Sequence, residues 1–181
     1  TNLGAKDVMT ATSADQAIRF CRNHRVDIIV CDLHLGTNKK NGYELYQELQ
    51  YRKMVSASAV FLLISADAAR PIVLGSLEHK PDDYLLKPFS QAQLKSRLNK
   101  SWQRKQYFLQ VLQAMSKQEY VAAIEALDKL TDMPAPYQRM ALEIRLEILW
   151  HETEYEKAQV LLNSHSDQLP TQWAQLALGK T

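Results

Sequence analysis

The sequence predicts an α/β doubly wound parallel sheet followed by an all-α helical-repeat domain. Short apolar runs that each end in a polar residue alternate with helical patterns up to about residue 100. No proline or glycine then interrupts the chain between Pro88 and Pro134, and a tyrosine-then-alanine pattern recurs 35 residues apart.

The elements follow in order. Residues 6–11, with Val8-Met9-Thr10-Ala11 after Gly4, read as a short strand. Ser13 with Gln16 three residues on is a capping-box pattern, and Ala14, Ala17, Ile18 and Cys21 recur at helical spacing to about Asn23. Ile28-Ile29-Val30-Cys31-Asp32 is a β-branched run bounded by polar residues, so it reads as a parallel strand buried on both faces. Taken alone, Asp32 could equally be a helix cap or a loop aspartate behind a core strand. Residues 36–42 form a polar, glycine-bounded loop, and residues 43–51 resume a helix with Leu45 and Leu49 on one face. Residues 60–64 make a second buried strand that runs into Ser65-Ala66-Asp67. Pro71 suits the first turn of a short helix through about Glu78. Asp83-Tyr84-Leu85-Leu86 is a last short strand, ending in Lys87-Pro88.

Composition narrows the classes. With 46% hydrophobic and 23% charged residues in 181, the chain can bury a core as one domain or two. Its 22 basic and 20 acidic residues give a net charge of +2, which implies no polyelectrolyte partner. Cys21 and Cys31 lack disulfide or metal-site spacing and read as small core residues in a reducing compartment. No apolar run approaches the length of a membrane span and no signal peptide is visible, so the expectation is a cytoplasmic protein without a membrane partner.

The three strand ends carry the chemistry. Asp32, Ser65 and Lys87 would all be delivered to the carboxyl edge of one sheet, where ligands bind in open α/β folds. A carboxylate, a hydroxyl and an ammonium gathered there suit a phosphoryl group, the first as nucleophile and the others as partners for phosphoryl oxygens.

Ile-Val-Cys-Asp-Leu around Asp32, Leu-Ile-Ser-Ala around Ser65 and Asp-Asp-Tyr-Leu-Leu-Lys-Pro-Phe from Asp82 to Phe89 together resemble the receiver domain of bacterial two-component response regulators, over residues 1–105. The 22-residue gap from Ser65 to Lys87 is the usual one in that flavodoxin-like family. The resemblance implies that Asp32 accepts a phosphoryl group from a histidine kinase or phosphotransfer protein, and that Ser65, Ala66 and Lys87 contact it. It implies that Ser65 and Tyr84 act as the switch, and that Lys87-Pro88 is a cis peptide with Pro88. Mg²⁺ is the implied cofactor, held by Asp32 and the backbone carbonyl of His34. The family's pair of acidic metal ligands and the first strand that carries them would lie upstream of Thr1. Without them, low Mg²⁺ occupancy is expected.

Past Phe89 the pattern changes. Ser90 can cap a helix in which Leu94, Leu98, Trp102, Phe108, Val111, Leu112 and Met115 keep helical spacing. This predicts one connecting rod over residues 90–115, about 26 residues and about 39 Å long. Its basic run (Lys95, Arg97, Lys100, Arg104, Lys105) reads as a solvated face, and no recognition motif points to nucleic acid. Over residues 106–181, Glu119-Tyr120-Val121-Ala122-Ala123 aligns with Glu154-Tyr155-Glu156-Lys157-Ala158, and Leu127 with Leu162. Pro134 or Pro136 and Pro170 would close two units, and Trp173-Ala174-Gln175 would open a third. The pattern resembles tetratricopeptide repeats, although Arg145 stands where a leucine is usual. The alternative is a non-repeating helical hairpin that dimerises or caps the first domain. The expected function is a non-enzymatic response regulator that signals by protein–protein contact through its repeats. A constitutive scaffold with an inert receiver is the competing reading.

Overall fold

The computed structural model describes residues 4–36, 40–67 and 80–165. The expected helix from Pro71, the closing Pro170 and the third repeat at Trp173 lie outside these residues. The described residues group into two units, one holding the sheet and the helix that follows it, the other holding the later helices together with Lys80.

In the first unit, β1 (Ile28–Asp32), β2 (Val60–Ser65) and β3 (Asp83–Leu86) pair in parallel in the order β1-β2-β3. Helices α1 (Ala14–Asn23) and α2 (Gly42–Tyr51) cover one face, where Ile18, Cys21, Tyr46 and Leu49 pack on Cys31, Phe61 and Leu63. On the other face Leu94 and Leu98 of α3 (Gln91–Tyr107) meet Val60, Leu62, Ile64 and Leu85. Alternate residues of β2 thus enter two different cores, which is why every one of its residues is buried. The predicted parallel sheet with helices on both faces is therefore the fold of this unit.

Several expectations change at its edge. Residues 6–11 form no strand, and Val8 and Met9 are exposed. A strand needs a neighbour to satisfy its backbone groups, and among the described residues none lies beside this segment. β1, expected to be buried on both faces, is covered on one: Ile28 is 41% and Val30 43% exposed, because α3 packs over β2 and β3. Ser13 caps α1 as expected, its Oγ accepting from the Gln16 N–H at 3.3 Å. The Gln16 side chain, however, accepts from Thr12 instead of closing the box on Ser13.

The rod over residues 90–115 is two helices, α3 and α4 (Leu109–Ser116), separated at Phe108. The buried residues Lys105, Phe108, Val111 and Ala114 succeed one another in steps of three. Each such step falls about 60° short of a full turn, so one straight helix would not keep these residues on one face. Trp102, expected on the apolar stripe, is exposed, and Ser101 and Lys105 hold the buried positions instead.

In the second unit α5 (Tyr120–Asp128), α6 (Ala135–His151) and α7 (Tyr155–Ser164) follow. Pro134 and Pro136 stand at the start of α6, where a missing N–H costs nothing. The turns α4–α5 and α6–α7 share the same closing bonds. Glu119 N–H donates to the Ala114 carbonyl at 3.0 Å and Glu154 N–H to that of Leu149 at 2.8 Å, while Gln118 and Thr153 have φ of 63° and 59°. Ala123 and Leu127 are buried in α5 just as Ala158 and Leu162 are in α7. Arg145 is not a core residue: it reaches from α6 to pair with Asp128 of α5.

Candidate functional site at the carboxyl edge of the sheet

Backbone pairing gathers the three strand ends. Asp32 stands opposite Ile64 in the β1–β2 register, and the next N–H, of Leu33, donates to the Ile64 carbonyl at 2.7 Å. On the other side of β2 the Lys87 N–H donates to the Ser65 carbonyl at 2.7 Å. The Lys87 ammonium then reaches Asp32 and pairs with its Oδ2, while the His34 N–H donates to Oδ1 at 3.0 Å. His34 itself is an exposed loop residue.

Both oxygens of Asp32 are thus engaged, yet the side chain is 35% exposed and open to solvent. Partial burial pushes its carboxyl upward, but the Lys87 hydrogen bond, the His34 N–H and the charges of Lys87 and His34 outweigh that and hold it below the usual carboxylate value. At neutral pH the group is an ionised carboxylate with a cation already in place. The neighbouring Cys31 thiol is pushed up to about 12 by burial and by the charge of Asp32, so it stays neutral and acts as a small core side chain. Burial also raises the thiol of Cys21, and both cysteines are free.

Ser65 is wholly buried, and its Oγ accepts from the Asp67 N–H at 2.9 Å. The Tyr84 hydroxyl donates to the carbonyl of the same Asp67 at 3.4 Å, its ring half-buried against the α1–α2 core. One peptide segment therefore holds both switch candidates, with Ala66 exposed between Ser65 and Asp67. The Lys87-Pro88 bond is cis.

Sequence reasoning passed over two supports of the sheet, one at this edge. Asn41 caps α2 in a capping box with Glu44, and the Gly42 N–H donates to the Leu33 carbonyl at 2.9 Å, tying α2 to the residue after Asp32. The Asn-Gly pair at the end of a polar loop was the available signal. At the opposite end of β3, Asp82 accepts from the Phe61 N–H at 2.8 Å and pairs with Lys105 at 3.1 Å, a contact between segments too far apart in sequence to show a spacing.

A family model for the response regulator receiver domain matches residues 1–99, more than half of the chain. The chain belongs to the response regulator receiver family. The alkaline phosphatase synthesis transcriptional regulatory protein PhoP of Bacillus subtilis is 29% identical over 148 residues, covering 82% of this chain and 59% of PhoP. Response regulator SaeR of Staphylococcus aureus is 28% identical over 167 residues, covering 92% of this chain and 68% of SaeR. The chain therefore spans about three fifths to two thirds of the length of these relatives.

A receiver is a signalling domain rather than an enzyme. Receivers typically bind Mg²⁺. Asp32 and the His34 carbonyl offer the hard oxygen donors this ion takes, but among the described residues no group of three or more His, Cys, Asp and Glu could hold a metal. Among the described residues no helix is long and apolar enough to cross a membrane.

Proposed function

We propose that this receiver takes a phosphoryl group on Asp32 from a histidine kinase and passes the change to helical repeats that bind a protein partner in the cytoplasm. The pairing of Lys87 with Asp32 beside the end of β2 carries the reading. A carboxylate oxygen of Asp32 attacks phosphorus, the bond from phosphorus to the donor's histidine nitrogen breaks, and that nitrogen keeps the electron pair. The Lys87 ammonium then shifts from Asp32 to a phosphoryl oxygen, offsetting charge where it develops. The Ser65 hydroxyl and the backbone at Ala66 take the other oxygens, and Ser65 leaves the Asp67 N–H to do so. That frees the segment on which Tyr84 rests, so Tyr84 moves with it. Asp32 and the His34 carbonyl would be the chain's own ligands for Mg²⁺.

The test uses the whole chain with acetyl phosphate or beryllofluoride. One equivalent is taken up by the native protein and none by Asp32→Asn. No uptake by the native protein, or uptake that survives Asp32→Asn, overturns the reading, and the first of these leaves the constitutive scaffold.

The matched turns and buried positions of α4–α5 and α6–α7, 35 residues apart, support tetratricopeptide-like repeats as the output. The name of PhoP favours a second reading, control of transcription, and leaves the expectation that nucleic acid is no partner without support. Retention of duplex DNA by the phosphorylated chain at physiological salt would select that second reading; the first expects none.

A further inference from the structure

A Cβ added at Gly42 would lie 2.3 Å from the Asp32 carbonyl oxygen, 2.9 Å from Leu63 Cδ2 and 3.0 Å from Cys31 Sγ. The last two atoms end side chains that can turn aside. The first is backbone and can move only together with the strand end, where Asp32 and Cys31 are paired with β2 and the Leu33 N–H is bound to Ile64. Nor is α2 free to retreat: Tyr43, Leu45, Tyr46 and Leu49 are buried in the core, Asn41 and Glu44 close its cap, and Gly42 itself holds the Leu33 carbonyl. The lightest piece that can yield is the segment of Asp32, Leu33 and His34, whose polar groups aim the acceptor carboxylate.

We infer that Gly42 is a positioning residue for Asp32: by bringing no side chain, it lets the start of α2 press against the Asp32 carbonyl and hold the carboxylate between Lys87 and the His34 N–H. This rests on Asp32 being the phosphoryl acceptor. Any side chain at position 42 forces the strand end outward, and Asp32 loses its two partners before the core loses its packing.

The experiment compares four full-length variants with the native chain, reading phosphoryl uptake from acetyl phosphate, cooperative urea unfolding, and the amide NMR signal of His34, which reports its hydrogen bond to Asp32 Oδ1. In Gly42→Ala the uptake rate falls by at least about tenfold, since a misplacement of about 1 Å at a reacting group can cost on the order of 100-fold, and the His34 signal moves. Adding Leu63→Ala removes a side-chain contact and gives room to fold, but not the carbonyl contact, so uptake stays low. Leu49→Ala, in the core of α2 away from Asp32, lowers stability while keeping uptake and the His34 signal. Leu63→Ala alone behaves like Leu49→Ala. Native uptake with an unmoved His34 signal in Gly42→Ala overturns the inference. So does recovery in the Gly42→Ala, Leu63→Ala chain, which would make the effect mere crowding of the core. If the native chain takes up nothing, the phosphoryl reading fails instead, and the His34 signal still decides whether Gly42 positions Asp32.

Discussion

Single residues set several local energies that the sequence pattern does not display. Lys53, Gln118 and Thr153 each hold a left-handed backbone, with φ of 50°, 63° and 59°, just past the ends of α2, α4 and α6. This is the place where glycine ordinarily closes a helix, and the two bonds of a Schellman motif are present at each, for instance Met54 N–H to Leu49 and Lys53 N–H to Gln50, both 2.9 Å. A side chain there costs about 1–2 kcal/mol. Thr153→Gly should therefore raise the urea midpoint, and by more than Gln118→Gly does, because a β-branched residue tolerates positive φ least. Glu48 supplies a pH dependence of known sign. The Lys40 hydrogen bond, against some burial and with the charges of Lys40 and Arg52, holds its carboxyl below the ordinary 4.5. Its contribution is complete above that ordinary value and is lost as pH falls through the lower, folded value. Acid unfolding of Glu48→Gln should accordingly lose part of the native steepness below about pH 4.5, while the two chains run parallel above it; a Glu48→Gln curve as steep as the native one would exclude the pairs as its source.

Among elements, α3 differs most from its sequence reading. Three of its five basic residues are pinned to the protein, although Arg97 stays exposed. Arg97 binds Asp83 and the Tyr84 carbonyl at 3.1 Å, Arg104 binds the Asp82 carbonyl, and Lys105 is bound by Asp82 and by the Ala57 carbonyl at 3.2 Å. They strap the helix to the strand that carries Tyr84 and Lys87. The Lys105 and Asp82 side chains are 11% and 12% exposed, so removing one charge leaves the other buried without its partner. Asp82→Ala should cost about 3–5 kcal/mol in urea unfolding, since it also orphans the Phe61 N–H. Lys105→Met should cost clearly less, because the carboxylate keeps that N–H. Equal losses would mean that the ion pair, and not the Phe61 hydrogen bond, accounts for the cost. Charge on a helix says which residues can pair, and only the neighbouring strand says whether they do.

Over the molecule as a whole, the proposed signal must reach residues far along the chain from Asp32. Trp150, buried in α6, is a reporter for it. In a chain with Trp102→Phe and Trp173→Phe, which leaves Trp150 as the one tryptophan of three, beryllofluoride should change its emission, and Asp32→Asn should abolish the change. A Trp150 signal indifferent to beryllofluoride in a chain that binds it would confine the switch to the receiver. By itself the sequence determined where β1, β2 and β3 and the helices α1 and α2 lie, which residues end the strands, and that a tyrosine-then-alanine pattern recurs 35 residues apart. Each of these depends on local periodicity and capping, which neighbours along the chain specify. The tertiary structure alone decided that β1 has one open face, that the rod breaks at Phe108, that Lys105 is buried, and that Gly42 abuts Asp32. Those depend on what lies across the sheet or beyond a helix, and packing partners remote in sequence leave no spacing to read.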